Sequence, residues 1–223
     1  ENKEWVNYLV RDVANPSEED EYFPVYRSFD WFQGHSWASG LFSSGDGRNQ
    51  ESSSEDYNFA YGMKLWGLVV GDSAMKQRGE LMVAVMRRSV NDYYLYSGNN
   101  SIVYKEMVGN LVAGILFENK IDHVTFFGSD ISYINGIQMI PITPISLVIR
   151  EKEFVGYEWE QLLGGIVDGM ESGWRGILKL NEALVDAKSS YEFFSQKGFE
   201  SSKYLDNGQS LTWCLAFSGG LMD

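Results

Sequence analysis

Apolar residues recur at helical spacing in several stretches of this chain. In residues 2–15, Trp5, Leu9, Val10 and Val13 stand about one helical turn apart. Asn15-Pro16 ends that run, because the residue before a proline is driven out of the helical region. Residues 55–70 carry the strongest pattern, with Phe59, Met63, Trp66, Val69 and Val70 on the expected apolar face. Gly71-Asp72 breaks it, and residues 73–96 resume it, so the two read as an α-hairpin. Residues 157–170 and 174–194 are again helical, with Gly164-Gly165 a kink or a close contact, and residues 210–217 form a last short helix. The remainder is less regular. Ser17 to Glu21 is an acidic loop, and Pro24 to Gly47 is Gly- and aromatic-rich without a clear period. Residues 104–127 stay open between helix and short strands: Val108 to Gly114 is Gly-rich, while Val124-Thr-Phe-Phe127 reads as extended. The expectation is a mainly α fold, an array or toroid of helical hairpins whose loops carry the function.

Composition narrows the partners. The 223 residues suffice for one domain with a sizeable core. With 31 acids against 18 bases the formal charge is -13, which leaves no basic patch for phosphates and makes nucleic acid a poor partner. A neutral polysaccharide suits this balance, and so does an aromatic content of 15%, although most of those rings will serve the core. No run reaches membrane-spanning length, so no membrane insertion is expected. Cys214 is alone, flanked by Trp213, Leu215, Ala216 and Phe217, and reads as a buried, inert thiol. Asn99-Asn-Ser101 is a glycosylation sequon, a short motif that arises often by chance. Two widely separated histidines and one cysteine make no metal site. Phosphate-binding Gly loops and nucleophile elbows are also missing. Glu1 falls inside a helical pattern with no leader before it, so the chain reads as part of a longer protein.

One stretch concentrates chemistry. Residues 30–55, DWFQGHSWASGLFSSGDGRNQESSSE, combine two Trp, a His, four Gly and four acids. A core does not need that mixture, because buried polar groups cost free energy unless paired. A sugar site does, since flat apolar faces stack on pyranose rings while fixed donors and acceptors read hydroxyls. Trp31 and Trp37 are candidate stacking platforms, with core equally open for one of them. His35 is a candidate hydroxyl donor or a structural hydrogen-bonder. Asp30 either binds a hydroxyl or organises the loop through backbone N–H groups. Arg48 and Asn49 either reach the cleft or position the loop, and Asp46-Gly47 is a turn. Glu51 and Glu55 stand four apart. If Glu51 lies in the first helical turn, the two project from one face about 40° apart, with Cβ atoms roughly 6 Å apart. Like charges that close disfavour joint ionisation, one way to tune a catalytic acid or base. The plainer reading is capping: acids favour a first helical turn, and Ser52 with Glu55 has capping-box spacing.

The segments DWFQGHSWASGLF and GDGRNQESSSEDYNFAYGMKLWG resemble, from Asp30 to Gly67, the catalytic signature of glycoside hydrolase family 81, the laminarinase-type endo-1,3-β-glucanases. Ile134-Asn-Gly-Ile-Gln-Met-Ile-Pro-Ile-Thr-Pro144 resembles it too, as does Asp122-His-Val-Thr-Phe-Phe-Gly128 more loosely, and the fungal branch is the nearest in character. The resemblance implies an (α/α) six-hairpin barrel with a cleft across one end, normally preceded by a β-sandwich. Residues 1–223 would be the C-terminal portion of that catalytic domain. It implies cleavage of β-1,3-glucan with inversion, without a cofactor. Two carboxyl groups roughly 6.5–9.5 Å apart do this, leaving room for the attacking water. Glu51 matches the family's general base and Glu55 the second Glu of the motif, and the two roles remain interchangeable. The family's general acid is an Asp in an Asp-His-His-Phe-His-Tyr-Gly-Tyr type segment that nothing here matches, so it is expected before Glu1, and the chain alone is expected to be inactive. The other reading kept open is a glucan-binding or interaction module without chemistry. A secreted or cell-wall location is expected, with a cytoplasmic one left open.

Overall fold

A computed structural model describes residues 2–222. It is mainly helical, with twelve α-helices and five very short strands among the described residues. Helix α1 (Lys3–Ala14) matches the first periodic run, while Glu1 lies outside the described residues. The chain then crosses the surface to a two-residue hairpin, β1 (Phe29–Asp30) and β2 (His35–Ser36), paired Phe29 to Ser36 and Asp30 to His35. Strand β3 (Asn49–Gln50) leads directly into α2 (Ser53–Val70), and α3 (Ser73–Tyr93) returns antiparallel to it.

The α2–α3 pair is the expected hairpin, and glycine sets how closely it packs. A Cβ on Gly67 would stand 2.5 Å from the Lys76 nitrogen, and one on Gly79 would stand 2.6 Å from the Lys64 nitrogen. Real side chains do not fit there, so the two helices touch main chain to main chain. Asp72 starts α3 by accepting from the Met75 N–H at 2.8 Å. The buried face of α2 agrees with the expected one only in part. It carries Tyr57, Ala60, Met63 and Gly67, while Val69 is 75% exposed and Phe59 only partly covered. The close approach at Gly67 rotates the helix so that small residues, not the largest ones, meet α3.

The ambiguous middle is a mixture. Helix α4 (Lys105–Val108) is a single turn, followed by β4 (Ile115–Phe117) and β5 (Ile121–Asp122). Strand β4 is central in a three-stranded antiparallel sheet of order β3-β4-β5, with Gln50 opposite Leu116 and Leu116 opposite Ile121. The expected extended segment at Val124–Phe127 is instead a tight turn, closed by the Thr125 N–H on the Gly128 carbonyl at 2.9 Å. Short helices α5 (Ile131–Gly136) and α6 (Ser146–Ile149) follow. The run 157–170 is helical but not regular: α7 (Lys152–Glu158) passes through a π turn at Trp159–Leu163 into α8 (Gly164–Ile166). Gly164 sits against Trp159 at that turn, so the glycine pair marks an irregularity. The expected helix 174–194 is two, α9 (Trp174–Glu182) and α10 (Ala187–Phe194), the second capped by Asp186 on the Ser189 N–H at 2.9 Å. Helices α11 (Ser201–Tyr204) and α12 (Leu211–Gly219) complete the chain. Cys214 is buried in one continuous core that also contains Tyr57, Met86 and Phe154. Burial pushes its thiol up to about 11. Among the described residues no helix is long and apolar enough to cross a membrane.

Candidate active site

Three serines dock the beginning of α2. Ser52 is the N-cap residue, but its hydroxyl makes no cap; it donates to the Ile137 carbonyl at 3.1 Å. The Ser54 hydroxyl donates to the same carbonyl at 3.0 Å, and the Ser53 hydroxyl donates to the Gln138 side-chain oxygen at 2.7 Å. One turn on, the Asn58 amide donates to the Pro141 carbonyl at 2.9 Å. The capping box of Ser52 with Glu55 is therefore not formed, because these hydroxyls are spent on segment 137–141.

That segment lines a groove of about 520 Å³. Ile140, Pro141 and Ile142 form the floor, Glu55 stands on one side, and Phe127, Trp174 and Trp213 supply aromatic walls. Each wall is anchored. The Trp213 indole donates to the Ile142 carbonyl at 3.0 Å. Trp174 stacks on Phe127 with centroids 5.8 Å apart and an interplanar angle of 10°, and leans on Tyr133 at 5.2 Å. Gly136 makes that placement possible, since any Cβ there would collide with the Trp174 ring. Asp206, Gln209 and Ser210 add polar groups from the loop before α12. Apolar faces with a few convergent polar groups are what a sugar chain requires.

Glu51 lies between β3 and the N-cap, not in the first turn of α2, so the shared helical face expected for Glu51 and Glu55 does not exist. Its carboxylate accepts the Phe126 N–H at 3.0 Å, one residue from the Phe127 wall, and its main-chain carbonyl accepts from the Gln138 amide. The tight turn at Thr125–Gly128 presents that N–H. Glu55 is exposed on the groove side of α2.

The aromatic loop has a different fate. The Asp30 carboxylate accepts from the Phe32 N–H at 3.0 Å, the Gln33 N–H at 3.2 Å and the Trp37 indole at 3.1 Å, and it pairs with Arg48 at 3.4 Å. Partial burial works to raise its pKa, but the hydrogen bonds from Trp37 and the loop N–H groups, helped by the Arg48 charge, outweigh it and hold the carboxyl below its usual range. Trp37 is only 2% exposed, packed edge-on against His35 at 4.6 Å and covered by the Arg48 guanidinium. His35 is buried among Trp37, Tyr93 and Tyr94, with Nδ1 2.9 Å from the Ser36 carbonyl, and burial holds its pKa down. Arg48 also binds Glu118 through its guanidinium at 2.8 Å and its backbone N–H at 2.7 Å. Asn49 sits in β3 with its amide on the Gly47 carbonyl at 3.4 Å. Trp31 packs edge-on against Phe29 and opens onto a second cleft of about 410 Å³ beside Phe32 and Tyr93. In this chain His35 and Trp37 are thus enclosed, and the Asp30 carboxylate is occupied by loop donors.

Asp56, next to Glu55, is buried and accepts the Ser36 N–H at 2.6 Å, tying the hairpin to α2. Burial pushes its carboxyl up to about 6 against the effect of the Ser36 hydrogen bonds. Among the described residues no three His, Cys, Asp or Glu side chains gather in a way that could hold a metal ion. Phe127, Trp174, Trp213, Asp206 and Gln209 were not singled out as site residues by sequence. Phe127, Trp174 and the 206–213 stretch are three segments far apart in sequence.

The fold superposes on a solved structure, a mutant form of the glycoside hydrolase family 81 protein from Clostridium thermocellum, with a TM-score of 0.83 and 27% identity. The match covers 97% of this chain and 29% of that one. Glucan endo-1,3-beta-D-glucosidase 2 of Saccharomyces cerevisiae is 53% identical over 218 residues, 98% of this chain and 28% of the relative. The primary septum glucan endo-1,3-beta-D-glucosidase of Schizosaccharomyces pombe is 53% identical over 220 residues, 99% of this chain and 22% of the relative. The chain therefore spans roughly a quarter of the length of the curated relatives it matches. The family model described as the glycosyl hydrolase family 81 C-terminal domain matches residues 1–215, and the chain belongs to glycoside hydrolase family 81.

Proposed function

We propose that the protein containing this chain hydrolyses β-1,3-glucan internally, by direct attack of water with inversion at the anomeric carbon. Glu51 is the general base and Glu55 the second carboxylate, which steadies the water or the charge on Glu51. One observation carries this reading: the Glu51 carboxylate is held by the N–H of Phe126, the residue before Phe127, and Phe127 and Glu55 both line the aromatic groove. The names of the relatives supply the substrate class. The helical hairpins form the C-terminal part of an (α/α) toroid, and residues elsewhere in the whole protein supply the general acid that protonates the leaving sugar oxygen. In this proposal the Asp30, Trp31, His35, Trp37, Arg48 and Asn49 cluster shapes the corner that leads into Glu51. Secretion to the cell wall fits a glucan substrate.

The test is Glu51→Gln in the full-length protein with laminarin as substrate. Loss of a positioned base lowers the rate by about 10²–10⁴-fold, and the parent enzyme's first product, followed by NMR, carries the inverted anomer. Hydrolysis that survives the substitution, with glucan still bound, would instead make the chain a binding module.

A further inference from the structure

Gln138 is fully buried (0% exposed), and its amide is used on every side. The NH₂ group donates to the Glu51 carbonyl and, at 3.1 Å, to the Gly114 carbonyl. The oxygen accepts from the Ser53 hydroxyl at 2.7 Å and the Ser53 N–H at 3.3 Å. It therefore serves the first N–H of α2, a group left without a partner inside the helix and not reached by the nominal cap, Ser52. Three segments remote in sequence meet at this amide: the β3–α2 corner, the chain entering β4, and the turn after α5.

Gln138 is itself held. Its carbonyl accepts from Arg150 at 2.9 Å, and that buried guanidinium is fixed by Glu158 at 2.6 Å and Asn181 at 2.9 Å. Glu51 lies outside both β3 and α2, so no helix or strand ladder restrains it. Its aim depends on two attachments, Gln138 on the carbonyl and Phe126 on the carboxylate. We infer that Gln138 is a positioning residue for the candidate base Glu51, setting where its carboxylate points along the groove. This rests on the proposed role of Glu51. Misplacing a reacting group by about 1 Å costs on the order of 10²-fold in rate, so a side chain that never touches sugar acts on the chemical step.

Gln138→Met in the full-length protein keeps chain length and removes every amide contact. On laminarin, kcat is expected to fall about 10- to 100-fold, with KM within about twofold, and Gln138→Met combined with Glu51→Gln should be no slower than Glu51→Gln alone. A raised KM with unchanged kcat, or losses that multiply in the double variant, would overturn the inference and leave Gln138 as packing. Should Gln138→Met not fold, Ser53→Ala removes one partner of the amide and carries the same cycle, with a several-fold drop in kcat and the same non-additivity expected. If Glu51→Gln alone retains the parent rate, the base assignment fails and this inference with it. If Glu51→Gln collapses while Gln138→Met leaves kcat untouched, only the positioning role fails.

Discussion

The loop of residues 30–50 and the groove below α2 use the same residue types for opposite ends. The loop holds Trp37, His35, Asp30 and Arg48 in one contiguous segment, buries the first two and leaves the others half-buried, with each carboxylate oxygen of Asp30 answered by an indole, a guanidinium or a loop N–H. The groove gathers Phe127, Trp174 and Trp213 from three distant segments and is lined by them together with Glu55 and Asp206. The residues most concentrated in sequence are thus the ones the fold encloses, and the aromatic groove proposed for the sugar chain is assembled from separate segments. A buried ring contributes through packing, whereas an exposed ring over a groove contributes when a ligand covers it.

That contrast can be broken at four places. The largest effect is expected from Trp37→Ala. It empties a filled interior site and removes the indole from Asp30, costing about 3–5 kcal/mol of stability in denaturant unfolding. Because the same cluster is proposed to shape the corner leading into Glu51, turnover per folded molecule should also fall, but less than for Glu51→Gln, and a loss of activity without loss of stability would put Trp37 on the substrate instead. Next comes Asp56, which joins the two regions. Its carboxyl has a folded pKa of about 6, above its unfolded value of about 3.9. The native state therefore binds more protons than the unfolded one between those values, and stability falls as pH rises through that window. Asp56→Asn keeps an acceptor for the Ser36 N–H and should flatten that fall, by on the order of 2–3 kcal/mol between about pH 4 and 6. Thermal melts across that range measure it, and an unchanged slope would refute the assignment.

The groove side gives smaller numbers. Trp213→Ala should weaken binding of a laminari-oligosaccharide to the full-length protein by about tenfold, roughly 1.4 kcal/mol, with little change in melting temperature. Calorimetry that finds equal affinity would remove Trp213 from the sugar path. The smallest effect is expected for Phe32→Ala. That ring is 93% exposed at the tip of the loop, so stability should stay within about 0.5 kcal/mol. A large loss of glucan affinity there would show that the loop also has an outward face for substrate.

Much of the helical frame is legible in the sequence. Residues 55–70 and 73–96 combine sustained periodicity with a Gly-Asp break, and α2 and α3 lie there. The apolar face expected for α2 is right at Met63 and wrong at Val69, because the glycine contact with α3, not residue size, decides which side is covered. The run 174–194 divides into two helices because Ala183 to Asp186 makes a turn and Asp186 caps the second, a signal overridden by the continuous apolar pattern. The segment 124–127 looked extended from its β-branched and aromatic content, yet Gly128 closes it into a turn. Glu51 and Glu55 stood out through the motif around them. The groove walls did not, since no spacing relates Phe127 to Trp174 or Trp213 and only the folded chain brings them together. His35 and Trp37 drew attention for the right rarity, but composition carries no sign of which way a ring faces.

The glycines where α2 and α3 meet have a consequence for motion. With main chains in contact at Gly67 and Gly79, neither helix has slack to slide along the other, and the backbone amides nearby are screened from solvent. In deuterium exchange that stretch should outlast the surrounding chain, a still point from which the loops at either end take their bearings.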